Sequence, residues 1–235
     1  MPYCPTCGAE SSPEADRCSS CGSSLGGTDQ NTTGKDSGWN DLVFGFVGGL
    51  FAFASGFVLT ALFSATNENR ELVEELLESS GPAGVSVSRL LPEWYQVIGW
   101  EFLENHQVPV SVSVGEAFSS GDWIGEYADL LLPPASELQV VPPLLLVAAG
   151  FLVAWRRPQT SLGGAASAGA TVVAGYLPGI VVVTYVSTFE VVLLGEVVLF
   201  EVSPALGRAI LLAGVAYPVF FGGLGGVLAF FLDRS

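Results

Sequence analysis

The sequence predicts an all-α membrane protein: four transmembrane helices in a bundle, with a small cysteine-bearing head at the N-terminus and a mixed acidic loop on the outer side. Three observations predict this fold class. Four long apolar runs stand out, two Cys-x-x-Cys pairs precede the first run, and 23 Asp and Glu residues face only 8 Lys and Arg. Only 13% of the 235 residues are charged, whereas a soluble domain normally carries about a quarter.

The head, residues 1–25, carries the pairs Cys4 with Cys7 and Cys18 with Cys21, each followed by glycine. Two such pairs are typical of two knuckles that supply four thiolates to one tetrahedral Zn²⁺. We therefore expect a structural zinc ribbon, because four cysteines leave no open position on the metal for a catalytic water. Redox pairs, two disulfides in an oxidising compartment, or another metal are the alternatives.

Metal binding would supply the folding free energy of the head, because so short a segment cannot form a hydrophobic core. The head resembles the short zinc ribbons at the N-termini of many prokaryotic membrane proteins, which implies a binding or structural module with no activity attached. We expect a protein partner for it. The net charge of −15 speaks against a nucleic-acid partner, whose phosphates need a basic surface. Residues 26–41 are rich in Gly, Ser, Thr and Asp, and this composition predicts a flexible linker.

The predicted membrane domain, residues 42–235, begins with an uncharged run at 42–63. At about 1.5 Å per residue this run is long enough to cross a hydrocarbon core of about 30 Å. Three further apolar runs follow at 140–155, 163–187 and 205–232. The second run is short and opens with two prolines, so we expect a short span in the lipid bilayer, with a re-entrant segment as the alternative.

The orientation follows from Arg156 and Arg157, which form a short basic loop between the second and third runs. The positive-inside rule puts this loop in the cytoplasm. Four crossings then place both termini in the cytoplasm, where thiols stay reduced, and place residues 66–139 outside. We therefore expect a multi-pass protein of the cell membrane. Arg208, at the outer end of the fourth run, departs from the rule and is expected to snorkel toward Glu201.

Three of the apolar runs contain a Gly-x-x-x-Gly pattern. In lipid, small residues of this kind let helix backbones approach closely. The pattern does not separate a bundle within one chain from a homo-oligomer. Pro178 and Pro218 are expected to kink the third and fourth runs. The glycine pairs are Gly45 with Gly49, Gly175 with Gly179, and Gly222 with Gly226.

The outer loop, residues 66–139, contains three predicted elements. Residues 69–79 have the pattern of an amphipathic helix. Residues 92–105 predict a second helix, whose aromatic side chains suit the membrane–water boundary, and residues 108–114 alternate as a strand does. We expect a small cap that lies on the outer face. His106, the only histidine, is interpreted as a capping or core residue.

Residues 189–202 consist of two β-branched runs divided by Gly195 and Glu196, which favours a β-hairpin. The alternative is a helical continuation of the third run, which would carry Glu190 and Glu196 toward lipid at a high cost. With Arg208, these two glutamates make up a candidate ion pathway.

The acidic excess predicts a halophilic protein. In molar salt the Debye length falls to about 3 Å, so that repulsion between carboxylates costs little. The alternative is that one acidic outer loop dominates the count.

Short motifs across residues 42–232 carry a family resemblance. They are the glycine-rich first run, Gly99-Trp100 with Phe102, Asn105, His106 and Val108, the Pro142-Pro143 entry to the second run, and Gly175-Tyr176-Leu177-Pro178. In these motifs the predicted membrane domain resembles a group of haloarchaeal four-span membrane proteins of unknown function that often carry an N-terminal zinc ribbon. The resemblance implies a halophile membrane and four helices, and it brings no activity and no functional residues.

No catalytic motif is found: the sequence has no HExxH, no GxSxG and no paired membrane aspartates, so we predict that the protein is not an enzyme. The leading hypothesis is a membrane-anchored interaction or regulatory protein that uses a cytoplasmic zinc ribbon. A small transporter or channel subunit is the alternative.

Overall fold

The computed structural model describes residues 3–4, 6–10, 18–22, 33–64, 91–114, 137–156, 159–193 and 197–233. The chain divides into two compact units, Met1–Asp41 and Leu42–Ser235. The predicted helix at 69–79 and Glu196 both lie outside the described residues, as does much of the acidic loop.

The described part of the chain is mostly helical. In chain order its elements are α1 (Thr33–Ser64), α2 (Trp94–Glu104), β1 (Val110–Val114), a 3₁₀ turn (Glu137–Val140), α3 (Val141–Trp155), α4 (Leu162–Ala170), α5 (Val173–Val186), β2 (Phe189–Leu193), β3 (Val197–Pro204), α6 (Leu206–Arg208), a π-helical segment (Ala209–Ala216) and α7 (Tyr217–Leu232). Helix α1 begins inside the predicted flexible linker 26–41, so the linker prediction does not hold from Thr33 onward.

Four helical stretches are long and apolar enough to cross a membrane, which is compatible with a multi-pass membrane protein. They confirm the four predicted runs as membrane-length helices, and the second is helical along its whole length. We call them the first to fourth spans: Leu42–Ser64, Leu138–Trp155, Leu162–Val186 and Leu206–Leu232.

The third and fourth spans contain irregular backbone that precedes their prolines. The third span is interrupted between α4 and α5, where the Thr171 and Val172 amides donate to carbonyls three residues back. In the fourth span the Tyr217 amide donates to the Leu212 carbonyl, a π-type bond five residues back. Pro218 follows directly, in the first turn of α7. Pro178 lies inside α5, which continues through it.

The spans pack through glycines at which one helix backbone touches another. A Cβ atom added at Gly49 would overlap the Val172 carbonyl oxygen, and one added at Gly175 would overlap the Phe46 carbonyl oxygen. Each of these contacts joins the first span to the third. Glycine is required here because any side chain would push the two backbones apart.

The fourth span uses the same kind of contact. A Cβ atom at Gly226 would overlap the Ala165 carbonyl oxygen of the third span, and one at Gly222 would lie 2.7 Å from the Gly169 carbonyl oxygen. Glycines of three spans thus pack against other spans of the same chain. We call Gly49, Gly175, Gly222 and Gly226 the glycine seam.

The strands form a three-stranded antiparallel sheet in the order β1-β3-β2. Strand β1 confirms the predicted strand at 108–114, and the pairing of β2 with β3 confirms the strand interpretation of 189–202. One face of the sheet carries Phe189, Phe200 and Val202, which are buried. Strand β2 follows the third span in the chain, and the fourth span follows β3. The sheet therefore lies at one end of the bundle, which we call the sheet end.

The second half of helix α2 is inserted among the spans, a packing that the sequence did not predict. The ring centroid of Phe102 lies 5.3 Å from that of Phe53 and 5.7 Å from that of Phe57, both in the first span. Trp100 and Leu103 are fully buried, so Trp100 and Phe102 are not boundary residues, although Trp94 is 61% exposed. The physical reason is that Ile98, Phe102 and Leu103 are apolar side chains of this half, and burial among the spans removes them from water.

Candidate metal centre and a buried histidine–tyrosine contact

The two cysteine pairs form knuckles of the same geometry. The Gly8 amide donates to the Cys4 carbonyl and the Gly22 amide donates to the Cys18 carbonyl, each at 2.8 Å. Gly8 and Gly22 have φ angles of 71° and 72°, in the left-handed region that favours glycine. Each Cys-x-x-Cys-Gly motif therefore folds back on itself, with glycine at the position where a side chain would be strained.

The four sulfur atoms lie close enough to hold one metal ion. The Sγ atoms of Cys4, Cys7, Cys18 and Cys21 all lie within 4.8 Å of one another. The Sγ–Sγ distance is 3.7 Å between Cys4 and Cys21 and 3.6 Å between Cys7 and Cys18. A tetrahedral ion with metal–sulfur bonds of about 2.3 Å would place its thiolates about 3.8 Å apart. A disulfide needs about 2.0 Å, and none joins these cysteines in the described part of the head.

A short backbone ladder supports the first knuckle. Tyr3 and Glu10 form an antiparallel bridge, and the Cys4 amide donates to the Ala9 carbonyl at 2.9 Å. The Tyr3 hydroxyl also donates to the Glu10 carboxylate, at 3.3 Å. Cys4 and Cys18, the first cysteine of each pair, are buried, whereas Cys7 and Cys21, the second cysteine of each pair, are exposed.

Crowding of the sulfurs shows in the Cys7 thiol, whose pKa is raised to about 12. The Ala9 backbone amide lowers this pKa, and the hydrogen bonds to the other three cysteines together with burial raise it. Thiols at such short distances keep their protons unless a cation replaces them, which is the behaviour expected of metal ligands.

Two of the three predicted ion-pathway residues lie in the part of the chain that the structure describes, and both are exposed. Glu190 is exposed on β2, where it lies directly opposite Glu201 of β3. Arg208 is exposed at the end of α6. Among the residues that the structure describes, no ion pair joins Arg208 to Glu201, so the expected snorkelling contact is not formed. Glu196 lies outside the described residues.

His106, by contrast, is fully buried and bonded through both ring nitrogens. Its Nδ1 atom lies 2.7 Å from the Phe102 carbonyl oxygen, and its Nε2 atom lies 2.7 Å from the Tyr176 hydroxyl of the third span. A carbonyl can only accept, so Nδ1 carries the proton and Nε2 accepts from the tyrosine. The imidazole also packs against Tyr217 of the fourth span, with ring centroids 5.3 Å apart. The interpretation of His106 as a core residue is confirmed.

Burial changes the ionisation of two residues at the end of α2. It lowers the pKa of His106 to about 4, against a smaller opposing effect of the Phe102 carbonyl. It also raises the pKa of Glu104 to about 7, with a further contribution from the charge on Glu101. His106 is therefore neutral near pH 7, in agreement with the tautomer that its hydrogen bonds require.

Two further side chains of α2 bond to the end of the third span. The Trp100 indole N–H donates to the Ser187 carbonyl at 2.6 Å, and the Gln96 amide donates to the Thr188 carbonyl at 2.9 Å. These carbonyls follow the last turn of α5, where backbone carbonyls have no N–H donor from the helix itself. These contacts were not predicted from the sequence. The polar side chains within the otherwise apolar α2 were the one feature that could have indicated a buried hydrogen-bonded helix.

Comparison with known proteins identifies a family for most of the chain. A family model described as "Family of unknown function (DUF7978)" matches residues 26–233. The match begins after the four cysteines, so it covers the spans, the sheet and α2 but not the candidate metal centre. Neither the curated proteins nor the solved structures contain a match to the chain. Because the match covers more than half of the sequence, the chain belongs to this family of unknown function.

Proposed function

We propose that the protein is a membrane-anchored interaction or regulatory protein whose N-terminal cysteines hold a structural Zn²⁺. The observation that carries this proposal is the approach of four Sγ atoms to within 4.8 Å of one another in two matching knuckles. Four thiolates satisfy a tetrahedral zinc ion and leave no place for a reacting water. The head would therefore bind and present a surface, and would not catalyse.

Zinc would supply the free energy that folds the head. Residues Cys4, Cys7, Cys18 and Cys21 would hold it, with the backbone turns at Gly8 and Gly22 setting the direction of the thiolates. The partner is proposed to be a protein, because the net charge of −15 opposes contact with nucleic acid.

The bundle would serve as the anchor in the cell membrane, with both termini in the cytoplasm. Aromatic side chains are exposed at its two ends: Trp155 at one end, and Trp94 and Tyr185 at the sheet end. Such side chains favour the two membrane–water boundaries. Arg156 lies 4.2 Å above the ring of Phe44, which supports a cytoplasmic location for the end that carries this basic residue.

The zinc proposal is tested on the full chain, purified in mild detergent under reducing conditions, by elemental analysis. We expect about one zinc per chain. Replacing Cys21→Ser should lower zinc content severalfold, whereas the neighbouring Ser20→Ala should leave it unchanged, because Ser20 offers no thiolate. A wild-type chain free of zinc, or a Cys21→Ser chain that keeps it fully, would refute the metal assignment.

The interaction role is tested separately by cross-linking in intact cells. A protein partner should be captured by the wild-type chain and by Ser20→Ala, but not by Cys21→Ser. If the same partner is captured equally by Cys21→Ser, the head is not the interaction module, whatever metal it holds.

A further inference from the structure

Helix α2 fills a space that is bounded by helices from several spans. Phe102 packs on Phe53 of the first span, with ring centroids 5.3 Å apart. His106, one turn later, contacts Tyr176 of the third span and Tyr217 of the fourth. A single inserted helix thus supplies the side chains that close the bundle toward its sheet end.

The inserted segment is also the most polar part of the described core. Seven polar or charged side chains are buried in the described residues, and four of them belong to α2 or the turn after it: Gln96, Glu101, Asn105 and His106. An apolar helix would be held in place mainly by the hydrophobic effect. A segment with this polar content can be solvated when it leaves, so its position depends more on its hydrogen bonds.

Three side-chain hydrogen bonds, from Gln96, Trp100 and His106, join this segment to the third span or to the two residues after it. Their acceptors or partners are the Thr188 and Ser187 carbonyls and the Tyr176 hydroxyl, which all belong to the third span or to the two residues after it. Gly99 permits this docking, because a Cβ atom there would overlap the Ser187 hydroxyl. Opening this attachment breaks these three hydrogen bonds and separates the ring contacts of Phe102 with Phe53 and of His106 with Tyr217.

The spans have contacts of their own that do not involve α2. The glycine seam joins the first, third and fourth spans backbone to backbone. After α2 the chain reverses at Gln107, which has a φ angle of 61°. This left-handed conformation is uncommon for a residue other than glycine and marks a local point of strain next to the inserted helix.

We propose that α2 and the turn through Gln107 form a plug, which leaves the bundle as a unit while the glycine seam stays closed. Withdrawal exposes to water an aromatic cleft lined by Phe53, Tyr176 and Tyr217. The hydrogen bond between His106 and Tyr176 is the lock that sets how often the plug is withdrawn. This conformational device is independent of the metal centre.

Hydrogen exchange measured by mass spectrometry tests the plug in the full chain, reconstituted in lipid nanodiscs. In the wild type, residues 94–107 should exchange at least about tenfold faster than segments that contain the glycine seam. Tyr176→Phe removes the hydroxyl of the lock and should speed exchange in 94–107 by a further factor of about ten, while segments of the seam still exchange at least about tenfold more slowly. Gly163→Ala, where an added Cβ meets no atom within 4 Å, is the matched control and should change neither.

A labelling experiment provides a second readout. A Phe102→Cys chain is exposed to a membrane-impermeant maleimide, and the labelled peptide is identified by mass, which separates it from the thiols of the head. Adding Tyr176→Phe should raise the labelling rate at position 102 about tenfold. The proposal is overturned if plug and seam exchange at the same rate in the wild type or in Tyr176→Phe, or if labelling at 102 does not change.

Discussion

The glycine seam and the inserted helix close the same bundle by opposite means. At the seam, side chains are absent and backbones touch, as Gly49 does against Val172. Around α2, large rings and hydrogen-bonded polar groups fill the space, with Trp100, Phe102 and His106 fully buried. The seam requires residues without side chains, whereas the inserted helix requires side chains that fill the space and satisfy one another's hydrogen bonds.

This difference indicates how each region should respond to substitution. A contact between backbones cannot accept an added atom, because neither backbone can rotate away as a side chain can. A polar contact fails in the other direction, when one partner is removed and the other stays buried without a hydrogen bond.

The largest effect is expected at the seam. Gly49→Val would place branched carbons on the Val172 carbonyl and should destabilise the protein by roughly 3 kcal/mol or more. Reversible unfolding in mixed micelles measures it, with Gly163→Ala as the control that should stay near zero. A Gly49→Val chain of wild-type stability would show that the backbones are not in contact.

An intermediate effect is expected at the histidine–tyrosine contact. His106→Leu should cost about 2 to 3 kcal/mol, because it leaves the buried Tyr176 hydroxyl without its partner. Tyr176→Phe should cost about 1 to 3 kcal/mol for the corresponding reason, and the double variant should cost less than the sum. Tyr185→Phe serves as the control, since Tyr185 is 84% exposed. Additive costs in the cycle would mean that the two groups do not interact.

The smallest effect concerns pH. The pKa of Glu104 is raised to about 7 in the folded state, so its stabilising contribution is complete below the ordinary value of 4.5 and is lost as pH rises through 7. Glu104→Gln removes this loss. The variant should therefore gain about 1 kcal/mol on the wild type between pH 4.5 and pH 8, a figure reduced because Glu104 is only half-buried. Unfolding of both chains at the two pH values measures it, and the contribution of His106 cancels in the difference. An unchanged gap between the chains would mean that Glu104 titrates normally.

The seam was readable from the sequence because its signal is local. Gly45 with Gly49 and Gly175 with Gly179 are spaced one helical turn apart, and each span is long enough to be recognised alone. The cysteine knuckles are local for the same reason, since four residues and a following glycine define each one. The spacing predicts the cluster but does not identify the metal.

The inserted helix could not be predicted in the same way. Its partners are distant in sequence: His106 bonds to Tyr176, and Gln96 bonds to the Thr188 carbonyl. The aromatic residues of 92–105 suit a membrane boundary as well as a core, so composition could not choose between them. Glu190 and Arg208 are exposed, and the ion pathway suggested by charge near the spans stays a prediction.

One cross-strand pair of the sheet should make its stability depend on the salt concentration around the protein. Glu190 and Glu201 face each other across β2 and β3, so two carboxylates repel at the shortest cross-strand separation. In brine, where ions screen charge beyond about 3 Å, the strand pair would tighten, whereas fresh water would loosen it.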